Sequence, residues 1–116
     1  MFPKDLQQLA NTLITNCRTQ RLKIATAESC TGGLIAGCLT SVSGSSNVFE
    51  RGFNTYSNKS KTEMLNVPKE IIIKHGAVSE LVSIAMCEGA LKNAAVQVTV
   101  STTGIAGPAG GTTEKP

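Results

Sequence analysis

Apolar residues recur along the chain at spacings that change from one segment to the next. Between positions 4 and 19, Leu6, Leu9, Ala10, Leu13, Ile14 and Cys17 follow helical spacing, so an amphipathic helix opens the chain. Leu22 to Ala27 reads as a short buried strand. Gly32 to Val42 reads as a second helix with Leu34, Ile35, Cys38 and Leu39 turned inward. Ser43-Gly44-Ser45-Ser46 is a loop. Val48 to Tyr56 (VFERGFNTY) is β-prone, and Gly52 at its centre permits a bulge or a close backbone approach. Asn58 can cap a short helix over Asn58 to Leu65. Pro68 suits the first turn of another, which covers Ile71 to Lys74 and stops at Gly76. Ser79 is placed to cap a long helix in which Leu81, Ile84, Ala85, Cys87 and Leu91 lead to about Asn93. Val96 to Thr102 is a strand rich in β-branched residues.

Helices and strands in alternation predict an α/β fold built in layers. There is no internal repeat and no interdomain linker, so residues 1–116 read as one domain. The last strand runs into a glycine-rich loop, Thr103 to Thr112, and the sequence ends at Glu114-Lys115-Pro116. A fold of this class ordinarily adds strands and a helix there. The expectation is a domain incomplete at its C-terminal end, with a sheet edge and some apolar helix surface uncovered, that self-associates as a homo-oligomer.

Composition narrows the function. A hydrophobic content of 41% with 16% charged residues describes a folded, soluble chain. Aromatic content is 3%, without Trp and with one Tyr, and the net charge of +3 is spread along the chain. Both features argue against a nucleic-acid partner. No segment approaches the ~20 apolar residues of a membrane span, and MFPKDLQQL lacks the order of a signal peptide. Cys17, Cys30, Cys38 and Cys87 form no C-x-x-C pair, and His75 is the only histidine, which argues against a metal site. Scattered thiols without a secretion signal fit a cytoplasmic protein.

The chemistry gathers at strand ends, where ligands bind in open α/β sheets. Three segments qualify: Glu28-Ser29-Cys30-Thr31-Gly32-Gly33, Tyr56-Ser57-Asn58-Lys59-Ser60-Lys61 and Thr102-Thr103-Gly104-Ile105-Ala106-Gly107-Pro108. Ser29 precedes a helix whose first amides suit an oxyanion or phosphate, and Gly32 and Gly33 let a substrate approach the backbone. The same residues read equally well as a helix cap with glycines for tight packing. Cys30 is a rival nucleophile or a buried thiol. A serine nucleophile needs a base. His75 sits at a helix end, which leaves Lys61 as a base of lowered pKa or as a solvated helix lysine. The loop Thr103 to Thr112 matches neither standard phosphate fingerprint. Its glycines could expose amides to a phosphate, or simply form a surface loop.

Taken together, TAESCTGGLIAG, TYSNKSK, HGAVSE and TTGIAGPAGGTTEKP resemble, in composition and order, the CinA C-terminal domain family of bacterial nicotinamide mononucleotide deamidases. The resemblance runs from the first helix to the last residue. It implies a three-layer α/β/α sandwich and hydrolysis of the nicotinamide carboxamide to nicotinate mononucleotide and ammonia, with a small pyridine nucleotide as partner and no metal or organic cofactor. Carried over by residue, it places the nucleophile at Ser29, the base at Lys61 and a site tyrosine at Tyr56. It puts the turn beside the nucleophile at Thr31, Gly32 and Gly33, and the nucleotide loop at Thr103, Gly104, Ile105, Ala106 and Gly107. Family domains continue past the EKP segment. The alternative expectation is therefore a non-catalytic nucleotide-binding or assembly module of the same fold.

Overall fold

A computed structural model describes all residues, Met1–Pro116. In chain order the elements are α1 (Lys4–Thr19), β1 (Ile24–Glu28), α2 (Leu34–Thr40), β2 (Phe49–Asn54), α3 (Asn58–Leu65), α4 (Lys69–His75), α5 (Glu80–Asn93) and β3 (Val98–Thr102), with a single 3-10 turn at Ser45–Asn47. The strands form one parallel sheet in the order β2-β1-β3. All of β1 is buried, as a central parallel strand covered on both faces must be.

Side chains alternate across β1. Ile24 packs with Ala10, Ile14 and Cys17 of α1 and with Cys38 and Leu39 of α2. Ala25 and Ala27 point the other way, toward Leu65, Ile72, Val82, Met86 and Ala90 on α3, α4 and α5. Helices thus cover both faces, and the molecule is an α/β/α sandwich with one apolar cluster on each side of the sheet. No helix is long and apolar enough to cross a membrane.

The observed boundaries depart from the sequence pattern where backbone geometry intervenes. Helix α2 starts at Leu34 rather than Gly32, because Gly32 (φ +61°) and Gly33 (φ +110°) adopt left-handed conformations that no α-helix contains. Strand β1 runs on through Glu28. Strand β3 begins at Val98 rather than Val96, since the amides of Gln97 and Val98 both donate to the Lys23 carbonyl before the ladder starts. Ser57, not Asn58, caps α3, its hydroxyl accepting from the Ser60 amide at 3.0 Å. The register between β1 and β2 shifts at Glu50, so the irregularity lies away from Gly52. Gly52 serves close approach instead, since a Cβ there would stand 2.6 Å from Thr26 Oγ1.

Leu34 is exposed, contrary to the inward orientation expected of it. Of the apolar positions on α1, only Ala10, Ile14 and Cys17 are buried. Leu6, Leu9 and Leu13 are instead exposed beside Leu34 and line an apolar cleft of about 390 Å³ that reaches Val100 on β3.

Helices α3 and α5 meet at Gly89. A Cβ at this position would overlap the Leu65 carbonyl oxygen and lie 2.7 Å from its carbon. Backbone cannot swing aside as a side chain can. Gly89→Ala is expected to lower the unfolding free energy by about 1–3 kcal/mol through overpacking, despite the better helix propensity of alanine. A denaturant midpoint equal to that of the wild type would show that the helices are not in this close contact.

Candidate active site

The sheet order decides which loops meet. Strand β1 lies between β2 and β3, so the segments leaving all three carboxyl ends are neighbours. Backbone hydrogen bonds fasten them together: the Ser29 amide donates to Thr102 O (3.1 Å) and the Thr55 amide to Glu28 O (2.8 Å). A cavity of about 340 Å³ opens there, lined by Ser29, Cys30, Tyr56, Lys61, the loop Thr103–Gly107 and, from the segment between α4 and α5, Ala77 and Val78.

Lys61 stands one helical turn before Leu65, and both are on the buried face of α3. Packing of that face carries the lysine inward until only 1% of it is exposed. Its Nζ lies 2.8 Å from Ser29 Oγ, 2.7 Å from Thr55 O and 3.1 Å from Tyr56 O. Neither of the two ion pairs in the molecule involves Lys61. Burial without a partner carboxylate pushes the amine below its ordinary pKa, with a smaller pull in the opposite sense from Cys30. Nζ donates to the Thr55 and Tyr56 carbonyls and to Ser29 Oγ, and the Ser29 hydroxyl in turn reaches Tyr56 O at 3.5 Å.

Glu28 is fully buried on the α2 face of β1. Its carboxylate accepts from the Thr31 hydroxyl (2.6 Å) and from the amides of Gly33 (3.1 Å), Ile35 (2.9 Å) and Ala36 (2.9 Å). Burial pushes this carboxyl up, but the hydrogen bonds from Thr31, Ala36, Ile35 and Gly33 outweigh it and hold the group below the usual carboxylate range.

This arrangement corrects one expectation. The first amides of α2 are not open to an oxyanion or phosphate, because Glu28 already occupies them. Thr31, Gly32 and Gly33 accordingly do not line the cavity. Thr31 bonds Glu28 and, at 2.8 Å, Thr102; the Gly32 carbonyl accepts from Asn54 (3.3 Å); and Gly33 donates to Glu28. By contrast Ser29, Tyr56, Lys61, Thr103, Gly104, Ile105, Ala106 and Gly107 share the one cavity. Tyr56 stands at its rim, 70% exposed. Thr103 donates to Ala77 O (2.8 Å) and ties the glycine loop to the α4–α5 connection.

Glu28 and Thr102 fall in the candidate segments at the strand ends but without the structural parts they play here, and Ala77 and Val78 were not expected at the site. For Glu28 there was a signal: a carboxylate ending an apolar strand, just upstream of helix amides that need acceptors. Ala77 and Val78 carry no chemical signature, and only the fold brings them to the cavity. No three His, Cys, Asp or Glu side chains converge on a place that could hold a metal ion.

A parallel sheet between helix layers, with a serine and a buried lysine at its carboxyl ends, defines the class. Residues 6–116 match the CinA C-terminal domain, and the chain belongs to that family. It is 47% identical over its whole length to the nicotinamide-nucleotide amidohydrolase PncC of Escherichia coli K12, of which it covers 70%. It is 52% identical over 95% of its length to a CinA-like protein of Colwellia psychrerythraea, but spans only about a quarter (26%) of that protein. Among solved structures, the competence/damage inducible protein CihA of Agrobacterium tumefaciens superposes over the whole chain with a TM-score of 0.96 and 49% identity, and the chain covers 70% of it.

The lowered pKa of Lys61 has a thermodynamic consequence. Between its folded value and its unfolded value near 10.5, the unfolded chain binds the extra proton. Stability therefore rises with pH through that window, and the penalty for burying the amine is fully present below the folded value. In Lys61→Met this contribution is absent. Subtracting the variant's unfolding free energy from that of the wild type, measured from pH 6 to 10, is expected to give a difference that grows more favourable to the wild type as pH rises. A flat difference would mean that Lys61 keeps an ordinary pKa, and a falling one that folding raises it; either overturns the expectation.

Proposed function

We propose that this chain carries the catalytic centre of an amidohydrolase acting on the carboxamide of nicotinamide mononucleotide, with Ser29 as nucleophile and Lys61 as its base. The observation that carries the proposal is the 2.8 Å approach of a buried lysine, lacking any carboxylate partner, to a serine hydroxyl at the floor of a cavity. The name of the Escherichia coli relative supports the substrate class.

In this mechanism the Lys61 amine takes the Ser29 proton as Oγ bonds to the carboxamide carbon, and the carbonyl oxygen gains the negative charge. Lys61, now an ammonium, gives that proton to the departing nitrogen. The C–N bond breaks, ammonia leaves, and an ester remains on Ser29. Water then attacks the ester carbon while the amine accepts its proton, and Oγ departs with that proton to restore the serine and release a carboxylic acid. The two backbone carbonyls on Lys61 Nζ hold the amine in line with Oγ through both halves of the cycle. Tyr56, exposed at the rim, offers its ring face to the pyridine ring, while the unpaired amides of Thr103–Gly107 face the polar remainder of the nucleotide.

Ammonia release from nicotinamide mononucleotide tests the reading. Ser29→Ala is expected to abolish turnover with the fold intact, and Cys30→Ala to reduce it only mildly. Lys61→Arg should lower kcat by about a hundredfold or more, since a guanidinium stays protonated and cannot serve as base. A lysine that only held the phosphate would instead tolerate arginine with a raised KM. Tyr56→Ala should raise KM well above that of Tyr56→Phe, which keeps the ring. Full activity in Ser29→Ala, or binding without any turnover by the wild type, would overturn the proposal.

A further inference from the structure

Within the segment Glu28–Ala36, nearly every backbone amide is accounted for. The Ser29 amide donates to Thr102 O, Gly32 to Ser29 O and Leu34 to Thr31 O, while Gly33, Ile35 and Ala36 donate to the Glu28 carboxylate. After the strand ends, only the amides of Cys30 and Thr31 make no hydrogen bond. Of these two residues, Cys30 lines the cavity beside Ser29 and Thr31 does not.

The carboxylate itself is outside the cavity and touches neither Ser29 Oγ nor Lys61 Nζ. Through Thr31 it continues to Thr102, the residue whose carbonyl holds the Ser29 amide. One buried acid thus spans both ends of the turn that presents the serine.

We propose that Glu28 is a positioning residue, whose carboxylate shapes the Ser29–Gly33 turn so that the Cys30 amide stays free to receive the oxygen that becomes negative when Ser29 attacks a carbonyl. The inference rests on the reading of Ser29 as nucleophile but not on the identity of the substrate. An amide adjacent to the nucleophile is a donor for such an oxygen only if the turn keeps it unbonded and aimed at the position that oxygen will occupy. A carboxylate is required because four donors converge on it. In an amide side chain, the NH₂ that replaces one oxygen meets another donor instead of accepting from it. A cap of purely structural value would leave the rate per folded molecule unchanged when lost.

The experiment follows the reaction of Ser29 with a fluorophosphonate, which bonds to Oγ with loss of fluoride and places a P=O oxygen where the charge would develop. Rates are measured per folded molecule in the wild type, Glu28→Gln and Thr31→Val, with kcat and KM for ammonia release beside them. Glu28→Gln is expected to slow labelling and lower kcat by about tenfold or more, with KM changed less than about twofold, as misplacement of an oxyanion donor demands. Thr31→Val, which removes only the hydroxyl link to Glu28 and Thr102, should give a smaller loss in the same two quantities, and it decides the matter if Glu28→Gln does not fold. Equal labelling rates in all three proteins would overturn the proposal, as would failure of the wild type to label at Ser29. If the wild type labels at Ser29 but releases no ammonia from the mononucleotide, the substrate assignment fails while the comparison of labelling rates still decides the role of Glu28.

Discussion

A lysine amine buried without a countercharge governs the structure around it. Removing a lone ammonium from water is costly, and a protein that does so must either supply an anion or let the group lose its proton. Here three oxygens surround Nζ and none belongs to a carboxylate. The carbonyls of Thr55 and Tyr56 reach it because β2 ends beside β1 and turns at once into α3. The helix brings Lys61 back over that turn, one helical turn ahead of Leu65. Strand order, a short connection and one helical face together create the environment of a single nitrogen.

Two buried ionisable groups flank the end of β1, and they are treated in opposite ways. Glu28 is stabilised in its charged form by a hydroxyl and three amides, whereas Lys61 is driven toward its neutral form by burial. Their separation is maintained by the strand itself, because Glu28 points to the α2 side while Ser29, the next residue, leads into the cavity. One chain turn therefore carries both a fixed anion that organises backbone and the Ser29 hydroxyl that faces the cavity. The glycines at 32 and 33, which from their composition could have been ligand contacts, are spent on the tight reversal that lets Glu28 reach the helix.

Much of the architecture was legible in the one-dimensional pattern. Helical spacing on α1 and α5, β-branched residues on β3, the Ser79 cap and the stop at Gly76 reflect local preferences that act wherever they stand. The pattern was less informative about which apolar residues enter the core. Leu6, Leu9 and Leu13 share the helical period of Ala10, Ile14 and Cys17, yet only the latter three are buried. Period alone does not specify which stripe enters the core.

What the sequence determined by itself was the set of elements and the chemical types available at their ends: a hydroxyl, an amine and a glycine-rich loop, each following a strand. Resemblance to a family singled out Ser29 and Lys61 from those types, but spacing in the chain did not bring them together. They are 32 residues apart, and their 2.8 Å approach exists because β1 pairs with β2 on one side and β3 on the other. The tertiary structure also decided protonation and access. Burial is a property of the assembled layers, so the lowered pKa of Lys61, the occupation of the α2 amides by Glu28 and the unbonded amide of Cys30 could arise only after the sheet and both helix layers had formed.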